Sequence, residues 1–425
     1  MNADRVTKRG TVFSRNALAI ALALGVAGLS ASPAMAAGPA YSKPFVAAAG
    51  TLQTDIEKVK KTPTDAAAVA DLKKKIDAAI AAATTPDDKN AAGTYAIQTG
   101  ALSNDNTYQR KGVTLLIESG KSAPEQLPRL HFYAGNFAFE AKEYDLARKE
   151  LEAAFAGGLK DPDAYVVMAQ VFLQQKQDKD GLPYLVKAID TMTASGKEAP
   201  DSWYRSAMGT AYGVQDYATA LSVGVKLIKA YPTTKNWSLV IVVIRDLGKL
   251  PSQDSLDLLR LQARTKSFTD ERDYGEFVQS ADARRNPGEV KAVIEAGVAA
   301  GVVDASKTFF AENLKLATSR IAPDRASLPA LEKDARLPNA TGVRLAGAGD
   351  AFLSYGEGAK AADLYKLALD KPGIDKPTVL TRLGIAQVDS GDFAGAQASF
   401  AAVEGPRKGI ATLWGAYAAQ KASGK

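Results

Sequence analysis

The sequence predicts an all-α chain, an α-α superhelix of antiparallel helical hairpins, and three observations carry that prediction. Apolar residues recur three and four positions apart along most of the chain, the spacing that lines one face of a helix. Turns rich in Gly, Pro and Asp punctuate these stretches, with no sustained apolar-polar alternation of the kind a half-buried strand shows. Small and large residues also return with a long period: Gly135, Leu151 and Ala154 are matched 34 residues later by Ala169, Leu185 and Ala188, and Ala147 by Gly181. Near the C-terminus, Gly349, Ala361, Tyr365 and Ala368 are matched 35 residues later by Gly384, Ala396, Phe400 and Val403. Such a period is one helical hairpin, in which a small residue lets two backbones approach and large ones fill the gap to the next hairpin. A single hairpin cannot bury its apolar face alone, so stacking must supply the core.

Taken in order, residues 1–36 read as a signal peptide. Arg5, Lys8, Arg9 and Arg15 precede an uncharged apolar run from Ala17 to Ser30, and Ala34-Met35-Ala36 supplies the small-x-small pattern of a cleavage site after Ala36. The run has 14 residues, short of the ~20 a membrane-spanning helix needs. Removing this leader lowers the formal charge from +6 to +3, too weak a field to argue for nucleic acid. Residues 37–128 form an N-terminal helical segment with degenerate repeats. Within it, residues 51–83 are Ala/Lys-rich helices broken at Thr62-Pro63-Thr64-Asp65, where Thr or Asp can cap a new helix, and Lys89 to Leu102 with Asn106 to Ser119 make one further hairpin. Residues 129–265 carry repeats, regular to 232 and decayed beyond it. The apolar run Leu239 to Ile244 follows Trp237 in a region of helical period and reads as a helix buried on most sides. Residues 266–340 are expected to be irregular hairpins, one of them Asp270 to Val303 split near Asn286-Pro287-Gly288. Residues 341–425 hold further repeats and a terminal helix, from Gly409 or Ile410 to Gln420, whose Trp414 and Tyr417 would cap the last repeat.

These repeats resemble the tetratricopeptide repeat (TPR), whose motif has a W-x2-L-G-x2-Y first helix, an A-x3-F second helix and a closing Pro. Met208-Gly209-Thr210-Ala211-Tyr212 followed by Tyr217, Ala220 and Tyr231-Pro232 is the clearest copy, with an inter-helix turn one residue short. Ala134-Gly135, Tyr144, Ala147, Leu151 and Ala154 make a second, and Met168-Ala169, Phe172, Gly181, Leu185 and Ala188 a third. Leu383-Gly384, Gly391, Phe393, Ala396 and Phe400 make a fourth, with Gln387 in place of the aromatic, and Ala348-Gly349, Phe352, Ala361, Tyr365 and Ala368 a fifth. The resemblance is good over 129–232 and 341–406 and degenerate between them, where Trp237 still falls 34 residues after Trp203. It is that of an exported bacterial TPR protein.

Composition and motifs exclude much chemistry. With no Cys, there are no disulfides, thiolate metal sites, catalytic thiols or lipid-modified cysteines. His131 is the only imidazole, which removes multi-histidine metal sites and HExxH hydrolysis, and it is expected to pack or be solvated. G-x-S-x-G and S-x-x-K are absent. Gly120-Lys121-Ser122 imitates the end of a phosphate loop, but Leu115 stands where its first Gly belongs. Gly120 and Gly196 read instead as helix C-terminal residues. Asp178, Asp180 and Gly181 imitate a calcium loop whose first and closing ligands would be Lys176 and Lys187. Lys58, Lys60, Lys61 and Lys73 to Lys75 read as a solvated basic face. No catalytic residue, metal or cofactor is called for.

The TPR resemblance implies first helices that line a concave face and bind extended peptides or another protein. Phe132, Asn136 and Phe139 share a helix face, and Val166, Gln170 and Leu173 lie 34 residues after each. Ser206, Thr210 and Gly213 continue the stripe. Asn136 and Gln170 would bond a peptide backbone while the apolar groups take side chains; the alternative is that the aromatics pack against the next hairpin. The expected function is a non-catalytic exported scaffold for a protein or peptide, periplasmic or else secreted. Two other classes stay open: an accessory protein for cell-envelope glycan or polysaccharide, and a carboxylate-only glycan-cleaving enzyme.

Overall fold

The computed structural model describes residues 39–424, so the leader predicted over 1–36 lies outside the described residues. Among these residues there are twenty-one α-helices and no strand, in two compact units, 39–199 and 200–424. The division falls inside the 129–265 run of repeats.

The first unit comprises α1 (Lys43–Ala49), α2 (Leu52–Lys61), α3 (Ala66–Ala82), α4 (Pro86–Leu102), α5 (Asn106–Ser119), α6 (Leu127–Glu140), α7 (Tyr144–Ala156), α8 (Pro162–Gln174) and α9 (Asp178–Ala194). Asp65 caps α3 by accepting the Ala67 and Ala68 amides at 3.0 Å each. Asp88, wholly buried at the start of α4, accepts the backbone amides of Ser42, Thr84 and Thr85, while Asp87 accepts that of Ala40. These bonds moor the chain that leads into α1. The α4–α5 hairpin is packed backbone on backbone: a methyl group at Gly112 would stand 2.5 Å from the Gly93 carbonyl oxygen. Glycine against glycine leaves no large residue to repeat, which is why this hairpin reads as degenerate in sequence.

The second unit comprises α10 (Asp201–Gly213), α11 (Tyr217–Ala230), α12 (Thr234–Gly248), α13 (Ser252–Arg264), α14 (Glu271–Ala281), α15 (Pro287–Ala299), α16 (Thr308–Ala335), α17 (Gly342–Ser354), α18 (Gly358–Leu369), α19 (Lys376–Asp389), α20 (Phe393–Ala401) and α21 (Lys408–Ala422). The apolar run Leu239 to Ile244 lies in α12, as its period predicts. Across 266–340, where irregular hairpins are expected, there is one hairpin, α14–α15, and then the single 28-residue α16. Its inward stripe, Phe310, Leu314, Ala317, Ile321, Asp324, Leu328, Leu331 and Ala335, alternates steps of four and three, so one helix keeps a continuous seam. Pro323 and Pro329 fall on that helix without ending it.

All five TPR-like hairpins share one turn. It has three residues, and its middle residue is left-handed: Lys142 (φ 63°), Lys176 (φ 61°), Gln215 (φ 60°), Gly356 (φ 74°) and Gly391 (φ 83°). The following amide reaches back to a first-helix carbonyl: Glu143 to Ala138, Gln177 to Phe172, Asp216 to Ala211, Glu357 to Phe352 and Asp392 to Gln387, all at 2.8 to 3.0 Å. The α10–α11 turn is therefore not one residue short. Counting back from it, Met208 occupies the position held elsewhere by Gly135, Ala169, Gly349 and Gly384, and Gly209 does not. The second-helix partner changes to match. Leu151, Leu185, Tyr365 and Phe400 sit opposite the small residues, whereas Gly224 sits opposite Met208. A Cβ on Gly135 would stand 2.8 Å from Leu151 Cγ, on Gly349 2.7 Å from Tyr365 Cε1, and on Gly224 2.8 Å from Val240 Cγ1 of α12, with Met208 Sδ at 3.4 Å. Small and large have exchanged helices while the pair's volume is kept.

The middle of the second unit is α13, on which seven consecutive residues, Leu256 to Gln262, are buried. Such a helix has no solvent face, so its charged members need partners. Asp257, fully buried, accepts from Arg260 at 2.7 Å, from Arg407 just ahead of α21, and faces Arg382 of α19 at 3.5 Å. Arg260 makes a two-pronged bond to Glu289 of α15, both contacts 2.8 Å. Arg407 also pairs with Asp254, and Arg382 with Asp350, which in turn accepts the buried Tyr365 hydroxyl at 2.6 Å. Arg264 forks onto Asp389 at 2.8 and 2.9 Å. The terminal helix does more than cap the last repeat. The Trp414 indole donates to the Asp257 carbonyl at 2.8 Å, Gln420 donates to the Ile228 carbonyl of α11 at 2.6 Å, and Tyr217 of α11 lies directly against Gly409. Burial pushes the Asp257 pKa up, but Arg382, Arg260 and Arg407 outweigh it and hold the carboxyl below its ordinary value.

Two outcomes follow for stability. Met208→Gly and Gly224→Leu should each destabilise the second unit, by about 2–5 and 1–3 kcal/mol, and the double variant should lose less than their sum. Chemical denaturation of the four members of that cycle measures the coupling. Asp257→Asn should cost about 3–5 kcal/mol by leaving buried guanidinium groups uncompensated. Because the Asp257 pKa is depressed on folding, its contribution is complete above the ordinary carboxylate range and fades as pH falls through the folded value. Melting curves of the wild type should therefore drop more steeply than those of Asp257→Asn on acidification below about pH 4.

Candidate functional site

Burial removes part of the first-helix stripe from solvent. Phe132, Val166 and Leu173 are buried, because α8 is enclosed along nearly its whole length, with Ala164 to Ala169 and Val171 to Leu173 all inside. Phe132 packs with Met168, Val171 and Phe172 in the α6–α9 core. Asn136 is buried, and its amide donates to Glu140 at 3.3 Å, whose other oxygen accepts from Asn106 at 3.1 Å. Phe139 and Gln170 remain half-buried, with Phe139 beside the Tyr144 ring at 6.0 Å. In the second unit, Thr210 is buried and donates to the Ser206 carbonyl at 2.9 Å, Ser206 is half-buried and Gly213 is exposed. Of this stripe in the first unit only Phe139 and Gln170 keep part of their surface in solvent, and Phe139 also packs against the α6–α9 core.

The residues set aside from chemistry have structural places. His131 Nδ1 meets Glu150 Oε2 at 2.7 Å, tying α6 to α7. Gly120 (φ 60°) and Gly196 (φ 79°) are left-handed just past α5 and α9, as their positions after helical patterns predict. Asp178 and Asp180 lie in the first turn of α9, where the helix dipole favours acids. Lys58, Lys60, Lys73 and Lys75 pair with Asp55, Glu57, Asp105 and Asp71 along α2, α3 and their neighbours. Among the described residues no group of three or more acids or imidazoles is placed to hold a metal ion.

Two clefts stand out. One, of about 420 Å³, lies among α12, α13 and α14, and most of its charges pair with one another. Glu276 accepts from both Arg245 and, at 2.9 Å, Arg272, while Asp246 takes the Tyr212 hydroxyl and, with burial, pushes that phenol up to about 12. The other, of about 540 Å³, lies between α7 and α9 beside the turn that joins α8 to α9. Two of its lining rings, Tyr184 and Phe172, stack at 5.6 Å, and the stack continues beneath them from Tyr184 to Phe155 (6.1 Å) and from Phe155 to the buried Tyr165 (4.8 Å). Arg148 covers the Phe172 end at 5.0 Å and Lys187 the Tyr165 end at 4.6 Å. Sequence reasoning missed this cleft, although Lys179, Pro183 and Lys187 recur at four-residue steps along one side of α9, and Tyr184 adjoins them. That spacing was the available signal. The aromatic run was not readable, because its rings come from three helices.

No family model matches the chain, and no curated protein matches it. Among solved structures it is similar to a chain of the Naa15/Naa10 assembly bound to HypK-THB, at 12% identity and a TM-score of 0.38. The match covers 89% of this chain and 64% of that one, so this chain spans less than two thirds of its neighbour's length. A superposition that loose carries no argument, and the helical-repeat fold rests on the hairpins themselves.

Proposed function

We propose that this chain is a non-catalytic, exported scaffold that binds a protein or an extended peptide, and that residues 39–199 do the binding. The observation behind the choice is α13. In residues 200–424 the chain fills the interior between its helices with its own buried helix and that helix's ion pairs, so those inward faces are already occupied. In residues 39–199 the first-helix row keeps Phe139 and Gln170 half-exposed, and the α7–α9 cleft stays open. Repeats of this kind present surfaces and need no reacting group. Export is supported by the basic, apolar and small-x-small segments at residues 5–36, and the Ala-rich character of that leader favours a Gram-negative periplasm. No helix among the described residues is long and apolar enough to cross a membrane.

Mass spectrometry of the protein from its own cells should find an N-terminus at Ala37; a chain that keeps residues 1–36 would overturn the export reading. A photo-crosslinking probe at Phe139 should give a discrete protein adduct, and one at exposed Lys315 on α16 should not. Absence of any protein adduct from Phe139, with the fold retained, would overturn the placement of the binding surface and shift weight to glycan.

A further inference from the structure

The α7–α9 cleft has more cationic than anionic reach. Arg148 is held by Glu152 at 2.8 Å and by the Phe172 face. Lys179 and Lys187, both exposed, form no ion pair with any described residue, and Lys187 instead lies over a ring. Asp180 is the one carboxylate in the lining. The Tyr184 hydroxyl, on the same wall, forms no hydrogen bond with any described residue. Two unneutralised ammonium groups and a free phenol around an aromatic floor therefore favour a ligand with anionic ends and an apolar middle.

Spacing narrows the ligand further. Lys179 and Lys187 are eight residues apart on one helix, roughly 12 Å along its axis. With both side chains extended outward, as exposed lysines are when hydrated, the two ammonium groups serve two separate anions better than one. An extended peptide advances about 13 Å over four residues, so acidic side chains at positions i and i+4 match the two lysines. The residue at i+2 then projects on the same side as both, over Tyr184 and Pro183.

Building on the scaffold reading, we infer that the α7–α9 cleft binds an acidic segment of a partner protein in extended form, with two carboxylates four residues apart and an apolar side chain midway between them. Lys179 and Lys187 take the carboxylates, and Tyr184 supports the central side chain. The surface is formed chiefly by second helices and lies apart from the first-helix row.

The test uses the purified protein and two isomeric capped peptides labelled with one fluorophore, Glu-Ser-Leu-Ser-Glu and Ser-Glu-Leu-Glu-Ser. They share charge and composition and differ only in carboxylate spacing. Fluorescence anisotropy should show the first binding roughly threefold to tenfold tighter, with the preference fading as salt is raised. Lys179→Ala with Lys187→Ala should abolish the difference, and both sites are exposed, so the fold should survive. Tyr184→Ala should weaken both peptides, whereas Lys61→Ala on α2 should change nothing. Equal binding of the isomers, insensitivity to the lysine changes, or competition by inorganic phosphate as effective as by the first peptide would overturn the proposal. None of these outcomes bears on the Phe139 cross-link, so the cleft can fail while the scaffold reading stands.

Discussion

The buried carboxylate of Asp257 is the constraint around which residues 200–424 are arranged. A charge with no access to water is costly unless opposite charges and hydrogen bonds surround it, and Asp257 recruits guanidinium groups from three places in the chain. Arg260 is one helical turn away, but Arg382 and Arg407 arrive from more than a hundred residues later. Their positions oblige α19 and the approach to α21 to pass beside α13. The same cluster reaches α15 through Glu289 and α17 through Asp350, so a helix that would otherwise be one decayed repeat becomes the axis on which later hairpins are registered. A hydrophobic core fixes which residues are inside; this ion network also fixes which helices face them.

The hairpins obey a second constraint, which acts on pairs of residues. Where the first helix has Gly or Ala the second has Leu, Tyr or Phe, and where the first has Met208 the second has Gly224. Interior packing depends on the summed volume at a contact, so the exchange preserves the distance between helices. The turn is held equally firmly, by a left-handed middle residue and a backward amide bond that do not depend on the side chains around them. Lys142, Lys176 and Gln215 hold this conformation without being glycine.

The two units fill their interiors differently. In residues 200–424 the charges around α13 are committed to one another, and the α12–α14 cleft has Arg245 and Arg272 on Glu276. In residues 39–199 the α8 helix is just as enclosed, yet its enclosure is apolar and leaves charges on α7 and α9 free to face outward. Recognition on such a surface comes from the spacing of a few cations over aromatic rings.

The sequence by itself determined the class of fold, the helical hairpin as its unit and most helix positions, because three-and-four periodicity, caps and small-large spacing act within some 35 residues. The predicted partner stripe shows where that reach ends. Phe132, Val166 and Leu173 share a helix face with Phe139 and Gln170, but whether a face meets water or a neighbouring helix depends on how hairpins stack. The motif set Gly209 rather than Met208 in the small-residue position, because a compensating exchange is visible only once the two helices are side by side. Asp257 and Arg260 carried no signal of burial in the sequence, and nothing local showed that Arg382 and Arg407 would join them. Tertiary structure alone decided that α21 would return to α11 and α13, since desolvated charge is satisfied by proximity in space and no local spacing encodes it.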